Sequence, residues 1–237
     1  MGTLTPPSAG SQPKGAPFRG IEAVVFDLDG VLVDTEVWWD EVRIAFATGV
    51  GRHWTEDDRA AIMGSNTREW RSRMKRRLNV DMPEQEIERA VIGGMLERYA
   101  RQGPPAIEGA VEAVRRLART YPLAVASSAP PEVIETALTG LGVRALFRAL
   151  ASSDEVAAGK PAPDVYLLAA DRVGVGAAGC LVVEDSLNGV LAARAAGMRV
   201  VLIPNTSIPP APGALEAADF ALERLADLEP SRLSTAD

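Results

Sequence analysis

IEAVVFDLDG, residues 21–30, decides the fold. Its first half is an apolar run too short to build one face of a helix, and its second half ends in two acids and a glycine. Such a run reads as a strand buried on both sides, of the kind that parallel sheets use. The acids then stand where the strand's C-terminal end opens, which in an open α/β sheet is where ligands sit.

Working outward, the chain after Val111 alternates between helical and strand-like stretches: VEAVRRLART, LAVASS, PEVIETALTGLG, a short strand near RALAS, PDVYLLAADRVG, CLVVED, SLNGVLAARAAG, RVVLIP and ADFAL. Short apolar runs separated by amphipathic stretches of about ten residues imply βα units, hence a mainly parallel sheet with helices on both faces. Gly142, Gly174 and Gly197 each follow such a helix, where a C-terminal cap is expected. The fold class is therefore α/β, with a mainly parallel sheet core over residues 19–34 and 103–237.

Between 35 and 102 the rhythm changes. EVWWDEVRIAFATG, TEDDRAAIMG, TREWRSRMKRRLNV and PEQEIERAVIGGMLERYARQG read as consecutive helices with no strand between them. They predict an all-helical insertion beside the acids of the first strand, placed as a cap or lid would be. Residues 1–18, rich in Pro, Ser and Gly, are expected to be a disordered tail.

Four strand ends carry residues with chemistry. Asp27 and Asp29 close the first, and Gly30 permits the chain to turn. Ser127, Ser128 and Ala129 close LAVAS just ahead of a helix, where free amides and a hydroxyl form an anion seat; alone, they would also suit an ordinary helix cap. Lys160 lies in GKPAPD, between stiffening prolines, and Glu184 and Asp185 end CLVVED, where carboxylates serve as caps or as ligands for a hard cation. Each signal is weak by itself. Nucleophile, anion seat, counter-charge and metal ligands at the ends of strands of one sheet are a joint pattern with a common purpose.

Composition narrows the classes. The 237 residues carry a formal charge of −7, which argues against a nucleic-acid surface; if the substrate is a phosphate, it has to be attracted locally, by a lysine, a cation and backbone amides. No apolar run is long enough to cross a bilayer, and the start lacks the order of a secretory signal, so a cytoplasmic enzyme, monomeric by default and without membrane or nucleic-acid partners, is expected. The single cysteine, Cys180, allows no internal disulfide and reads as a small buried hydrophobe. All four tryptophans, Trp38, Trp39, Trp54 and Trp70, fall in the insertion. They are expected mainly as its own core, with Trp39 or Trp70 as the ones that would face a substrate. In the turn MGSNT (63–67), Asn66 and Thr67, with Arg68 next to them, are the other expected substrate contacts. The basic run from Arg68 to Arg77 reads as a solvated face.

DLDGVLVDTE, GKPAPD and VVEDSLNGVLAARAAGM resemble the haloacid dehalogenase superfamily, and within it the phosphatases and mutases similar to β-phosphoglucomutase. The resemblance spans roughly residues 21–205. It implies a Rossmann-like core, a helical cap and Mg²⁺. Carried over by position, it makes Asp27 the nucleophile that forms an aspartyl-phosphate and Asp29 the general acid, then base. Ser127 and Lys160 would hold the phosphoryl group, while Asp27, the Asp29 carbonyl, Asp185 and, close by, Glu184 would bind the cation. The activity implied is hydrolysis of a small phosphate monoester, a sugar phosphate or a phosphorylated natural-product intermediate. Mutases of the group carry a histidine where this chain has Trp39, which weakens that alternative, and the dehalogenases lack the second acid. A phosphorylatable receiver is disfavoured too, since there the acid pair precedes the phosphorylated aspartate.

Overall fold

A computed structural model describes residues 18–62, 65–205, 207 and 209–234. The deciding stretch forms β2, Ala23–Phe26, all four residues of which are buried. Beside it run β3, Leu123–Ser127, and β5, Cys180–Glu184, also buried throughout. With β4 (Phe147–Ser152), β6 (Arg199–Leu202) and β7 (Phe220–Ala221) they form one sheet in the order β4-β3-β2-β5-β6-β7, parallel at every pairing. Phe26 is in register with Val125 of β3 and Val183 of β5, so the three strands end together. The chain runs outward from β2 through β3 to β4, then returns to β5 on the other side of β2 and continues outward to β7, and this reversal between β2 and β5 opens a crevice at those ends.

Both faces are covered, and strand alternation divides the core into two. Val24, Phe26, Leu123, Val125 and Val183 point to one side, packed with α5 (Ala110–Leu117) and α6 (Pro131–Gly140). Ala23, Val25, Ala124, Ala126, Ala149 and Ala151 point to the other, against α7 (Asp164–Val173), α8 (Leu187–Ala195) and α9 (Ala214–Ala217). The alanines leave room for α7 to lie close on β3 and β4, with Tyr166 fully buried beneath it.

Between β2 and β3 come four helices: α1 (Glu36–Gly49), α2 (Glu56–Ile62), α3 (Thr67–Leu78) and α4 (Glu84–Gln102). Their bounds follow the sequence pattern closely. Trp70, Met74 and Leu78, spaced four apart, are the buried stripe of α3, and α4 packs on both α1 and α3. Asn66 starts α3 by accepting the Glu69 N–H at 3.0 Å.

Two expectations need correction. The tail boundary at residue 18 is misplaced: Phe18 is buried, packs on Phe220 and opens β1, Phe18–Arg19, which pairs with β8, Leu233–Ser234. A two-residue strand has too short a pattern to read, and its partner lies more than two hundred residues away in sequence. Residues 1–17 lie outside the described residues. The basic run is also more than a solvated face, because Arg71 pairs with Glu84 and Glu88, Arg77 with Asp58, and Arg73 donates to Ser65 at 2.9 Å, tying α3 to its neighbours.

Candidate active site

The four strand ends converge. Lys160, in the loop between β4 and α7, places Nζ 2.7 Å from Asp27 Oδ1 and 2.7 Å from Glu184 Oε1. Its ammonium also lies 4.7 Å from the Tyr166 ring. Asp27, Lys160, Glu184 and Asp185 are all buried, so each interaction is made largely out of water.

Glu184 is held on every side. Its Oε1 accepts from Lys160 and from the Tyr166 hydroxyl at 2.8 Å, and its Oε2 from the Asp185 and Ser186 amides and the Ser186 hydroxyl, each at 2.9 Å. Burial would raise its pKa, but Lys160 and these donors bring it below the ordinary value. A carboxylate so occupied orients its neighbours and has little left to offer a cation directly. Space for it comes from Gly189, where an added Cβ would lie 1.6 Å from Glu184 Oε1.

Asp185 is the opposite case. No described residue donates to its carboxylate, and burial, Glu184 and Asp27 all push its pKa well up. Gly30, at φ 86°, faces it so closely that a Cβ there would lie 2.0 Å from Oδ2. Burial likewise carries Asp27 up to about 7, with Lys160 pulling it down and Glu184 pushing it further up.

Ligand oxygens of Asp27, Glu184 and Asp185 lie within 4.8 Å of one another. Once ionised, three carboxyl groups facing one lysine would leave two negative charges uncompensated, with only oxygen donors to offer a cation. That is the environment of a hard divalent cation, and Mg²⁺ fits it; Asp27 and Asp185, with free oxygens, are the side chains that would hold it.

Asp29 is hydrogen-bonded to the insertion. Thr35 and the Trp39 indole N–H, the latter at 3.0 Å, both donate to its Oδ1. Burial raises its pKa, and those two donors moderate the rise. Trp39 was expected to face a substrate; its N–H is instead committed to Asp29, while the residue also lines the adjoining cavity.

Ser127 is buried and accepts the Ala129 N–H at 3.0 Å, while its own hydroxyl hydrogen has no acceptor among the described residues. One cavity contains Asp27, Asp29, Ser127, Ser128, Lys160 and Asp185; a second contains Trp39, Arg43, Ser65, Trp70 and Ala129, and the two share Asp29, Glu36 and Ser128. Both sides of the chain therefore meet at Asp29.

Asn66, Thr67 and Arg68 are not brought to this place. They line a separate cavity with Ser153 and Asp154. The reason is local: the Asn66 side chain is turned onto its own helix as a cap, the Thr67 N–H donates to Asp154 at 2.9 Å, and Arg68 is exposed. Sequence reasoning missed Thr35, Arg43, Glu36 and Tyr166. Thr35 stood in the quoted DLDGVLVDTE stretch and could have been found there; Tyr166 reads only as one more apolar position of α7.

Residues 21–197 match the family described as haloacid dehalogenase-like hydrolase. The chain belongs to that family. Among relatives of this hydrolase, hexitol phosphatase B of Escherichia coli (strain K12) is 32% identical over 193 residues, covering 78% of this chain and 85% of the relative. A probable pseudouridine-5'-phosphatase of Drosophila melanogaster is 33% identical over 225 residues, 90% of this chain and 94% of that protein. Of solved structures, CbbY from Rhodobacter sphaeroides in complex with xylulose-(1,5)-bisphosphate superposes with a TM-score of 0.78 at 26% identity, covering 90% of this chain and 99% of the other. A putative β-phosphoglucomutase from Thermotoga maritima gives 0.67 at 29% identity, with 87% and 96% covered. The hydrolase is an enzyme, and by family a phosphatase of the β-phosphoglucomutase-like group.

Proposed function

We propose that this hydrolase is a Mg²⁺-dependent phosphatase that cleaves a small organic phosphate monoester, a sugar phosphate or a phosphorylated natural-product intermediate, through phosphorylated Asp27. The observation that carries the reading is the Lys160 ammonium bridging Asp27 and Glu184 beside a buried Asp185 whose carboxylate has no donor among the described residues. Relatives named as hexitol and pseudouridine phosphatases agree with a polyhydroxylated substrate.

Asp27, its rotamer fixed by Lys160, attacks phosphorus. A bond forms from its carboxylate oxygen to phosphorus as the bond from phosphorus to the ester oxygen breaks, and the proton on Asp29 goes to the departing oxygen. Water then attacks the phosphoryl group on Asp27, Asp29 takes back a proton, and inorganic phosphate leaves. Lys160 and the Ser127 hydroxyl stabilise the charge that builds on the transferring group. Mg²⁺ held by Asp27 and Asp185 would supply charge neutralisation between the attacking carboxylate and the anionic ester.

Hydrolysis is favoured over phosphoryl exchange between sugars because the donors to Asp29 are the Thr35 hydroxyl and the indole N–H of Trp39, neither of which titrates near neutral pH. Release of phosphate from a panel of sugar phosphates and aryl phosphates, with Mg²⁺ and with excess chelator, tests the reading. Cation-dependent release is expected. Asp27→Asn should lower turnover by roughly a thousandfold or more while retaining the fold by circular dichroism. Full activity in chelator, or in that variant, would overturn it.

A further inference from the structure

Arg43 of α1 lines the cavity that adjoins Asp29, and no part of the proposed chemistry uses it. Its guanidinium carbon lies 5.2 Å from the Trp39 ring centroid and 5.9 Å from that of Trp70. Its Nε is buried without an acceptor, no described residue lies within salt-bridge distance, and none accepts a hydrogen bond from its amino groups. Burial pulls its pKa down to about 10, against the pull of Asp40, Asp29 and Glu36. A largely buried cation with no oxygen partner among the described residues, lining a cavity beside Asp29, is placed to receive an anionic group.

The chemistry of that ligand follows from the residues present. The guanidinium carbon lies over both indole rings, and a guanidinium presents its N–H donors in a row along its planar edge. An edge of this kind pairs with a planar group offering two oxygens in its own plane. Charge selects further. Glu36 and Asp29 share the cavity, and the second arginine there, Arg59, is paired with Glu56, 3.7 Å away. One unpaired positive charge matches a monoanion better than a second dianionic phosphate.

Resting on the phosphatase reading, we infer that Arg43 is a specificity-determining residue that binds a carboxylate on the alcohol portion of the substrate, so that the preferred esters are phosphorylated hydroxy acids.

The test compares matched esters that differ only at this group: 6-phosphogluconate against glucitol 6-phosphate, and 3-phosphoglycerate against glycerol 3-phosphate. For the wild-type enzyme with Mg²⁺, kcat/KM for the acid should exceed that for the alcohol by roughly tenfold or more in at least one pair. Arg43→Gln should bring that ratio close to one, chiefly through KM, and Arg43→Lys, which retains charge without the planar edge, should recover only part of it. A wild-type ratio at or below one in both pairs overturns the inference, and needs no variant to fold. Equal loss on acid and alcohol in Arg43→Gln overturns it as well. Absence of Mg²⁺-dependent phosphate release from every ester would instead count against the phosphatase reading itself.

Discussion

Asp29 sits between two halves of the molecule that treat it differently. The general acid that the proposed mechanism makes of Asp29 has to hold its proton at working pH, and burial gives Asp29 that tendency. Thr35 and Trp39 donate to the same oxygen and so favour the ionised form, which keeps the group able to release the proton. Trp39→Phe keeps most of the ring and removes one donor. The pKa of Asp29 should therefore rise, and the alkaline limb of the kcat profile, along which the acid is lost, should move to higher pH. A loss of about tenfold in kcat should accompany the shift, since Asp29 is then less well oriented. A pH profile unchanged in position would show that the hydrogen bond does not tune the acid.

At the scale of elements, the site depends on α8 beginning where β5 ends. Glu184 closes β5, Ser186 caps α8 by accepting the Gly189 N–H at 3.1 Å, and Glu184 Oε2 is gripped by amides of that same turn. Strand, turn and helix are thus locked through one carboxylate. Gly189→Ala would place a methyl group where Glu184 Oε1 is, so Glu184 must give up Lys160 or Tyr166. Leaving a buried partner unsatisfied costs about 1–3 kcal/mol, and thermal denaturation should register that loss together with reduced affinity for Mg²⁺ in activity titrations. Wild-type stability in that variant would mean the turn can relax without disturbing Glu184. The helical insertion was legible at this scale because its stripes repeat locally: Trp70, Met74 and Leu78 need no distant partner to be recognised. Asn66, Thr67 and Arg68 were misplaced because whether a helix N-terminus faces the core cavity or a loop such as Ser153–Asp154 depends on how α3 is tilted, which no local pattern records.

For the molecule as a whole, the excess of buried carboxylates ties stability to pH and to the cation. Asp27 is raised from 3.8 to about 7 and Asp185 is raised well above 3.8, so the folded protein binds more protons than the unfolded chain between about pH 4 and 7. A raised carboxyl contributes stability that is complete below its unfolded pKa and lost as pH rises through its folded value. Metal-free protein should accordingly lose Tm from pH 5 to pH 8 through this pair. On the proposed reading Mg²⁺ would bind the ionised form, and should raise Tm more at pH 8 than at pH 5. An equal Mg²⁺ effect at both values would separate the cation from these carboxylates. Cys180 makes no such contribution at neutral pH, because burial holds its thiol up at about 11, in keeping with its reading as a small hydrophobe.

The sequence by itself determined the α/β class, the order of strands and helices, and the candidacy of Asp27, Asp29, Ser127, Lys160, Glu184 and Asp185, because periodicity and strand-end position are properties of neighbours along the chain. The tertiary structure alone decided what these residues do to one another. That Lys160 bridges Asp27 and Glu184, that no described residue donates to Asp185, that Trp39 serves Asp29 and that Arg43 lies over two indoles without an oxygen partner among the described residues are facts of distance between elements. Burial and partner geometry set the charge of a group, and neither is written in its local sequence.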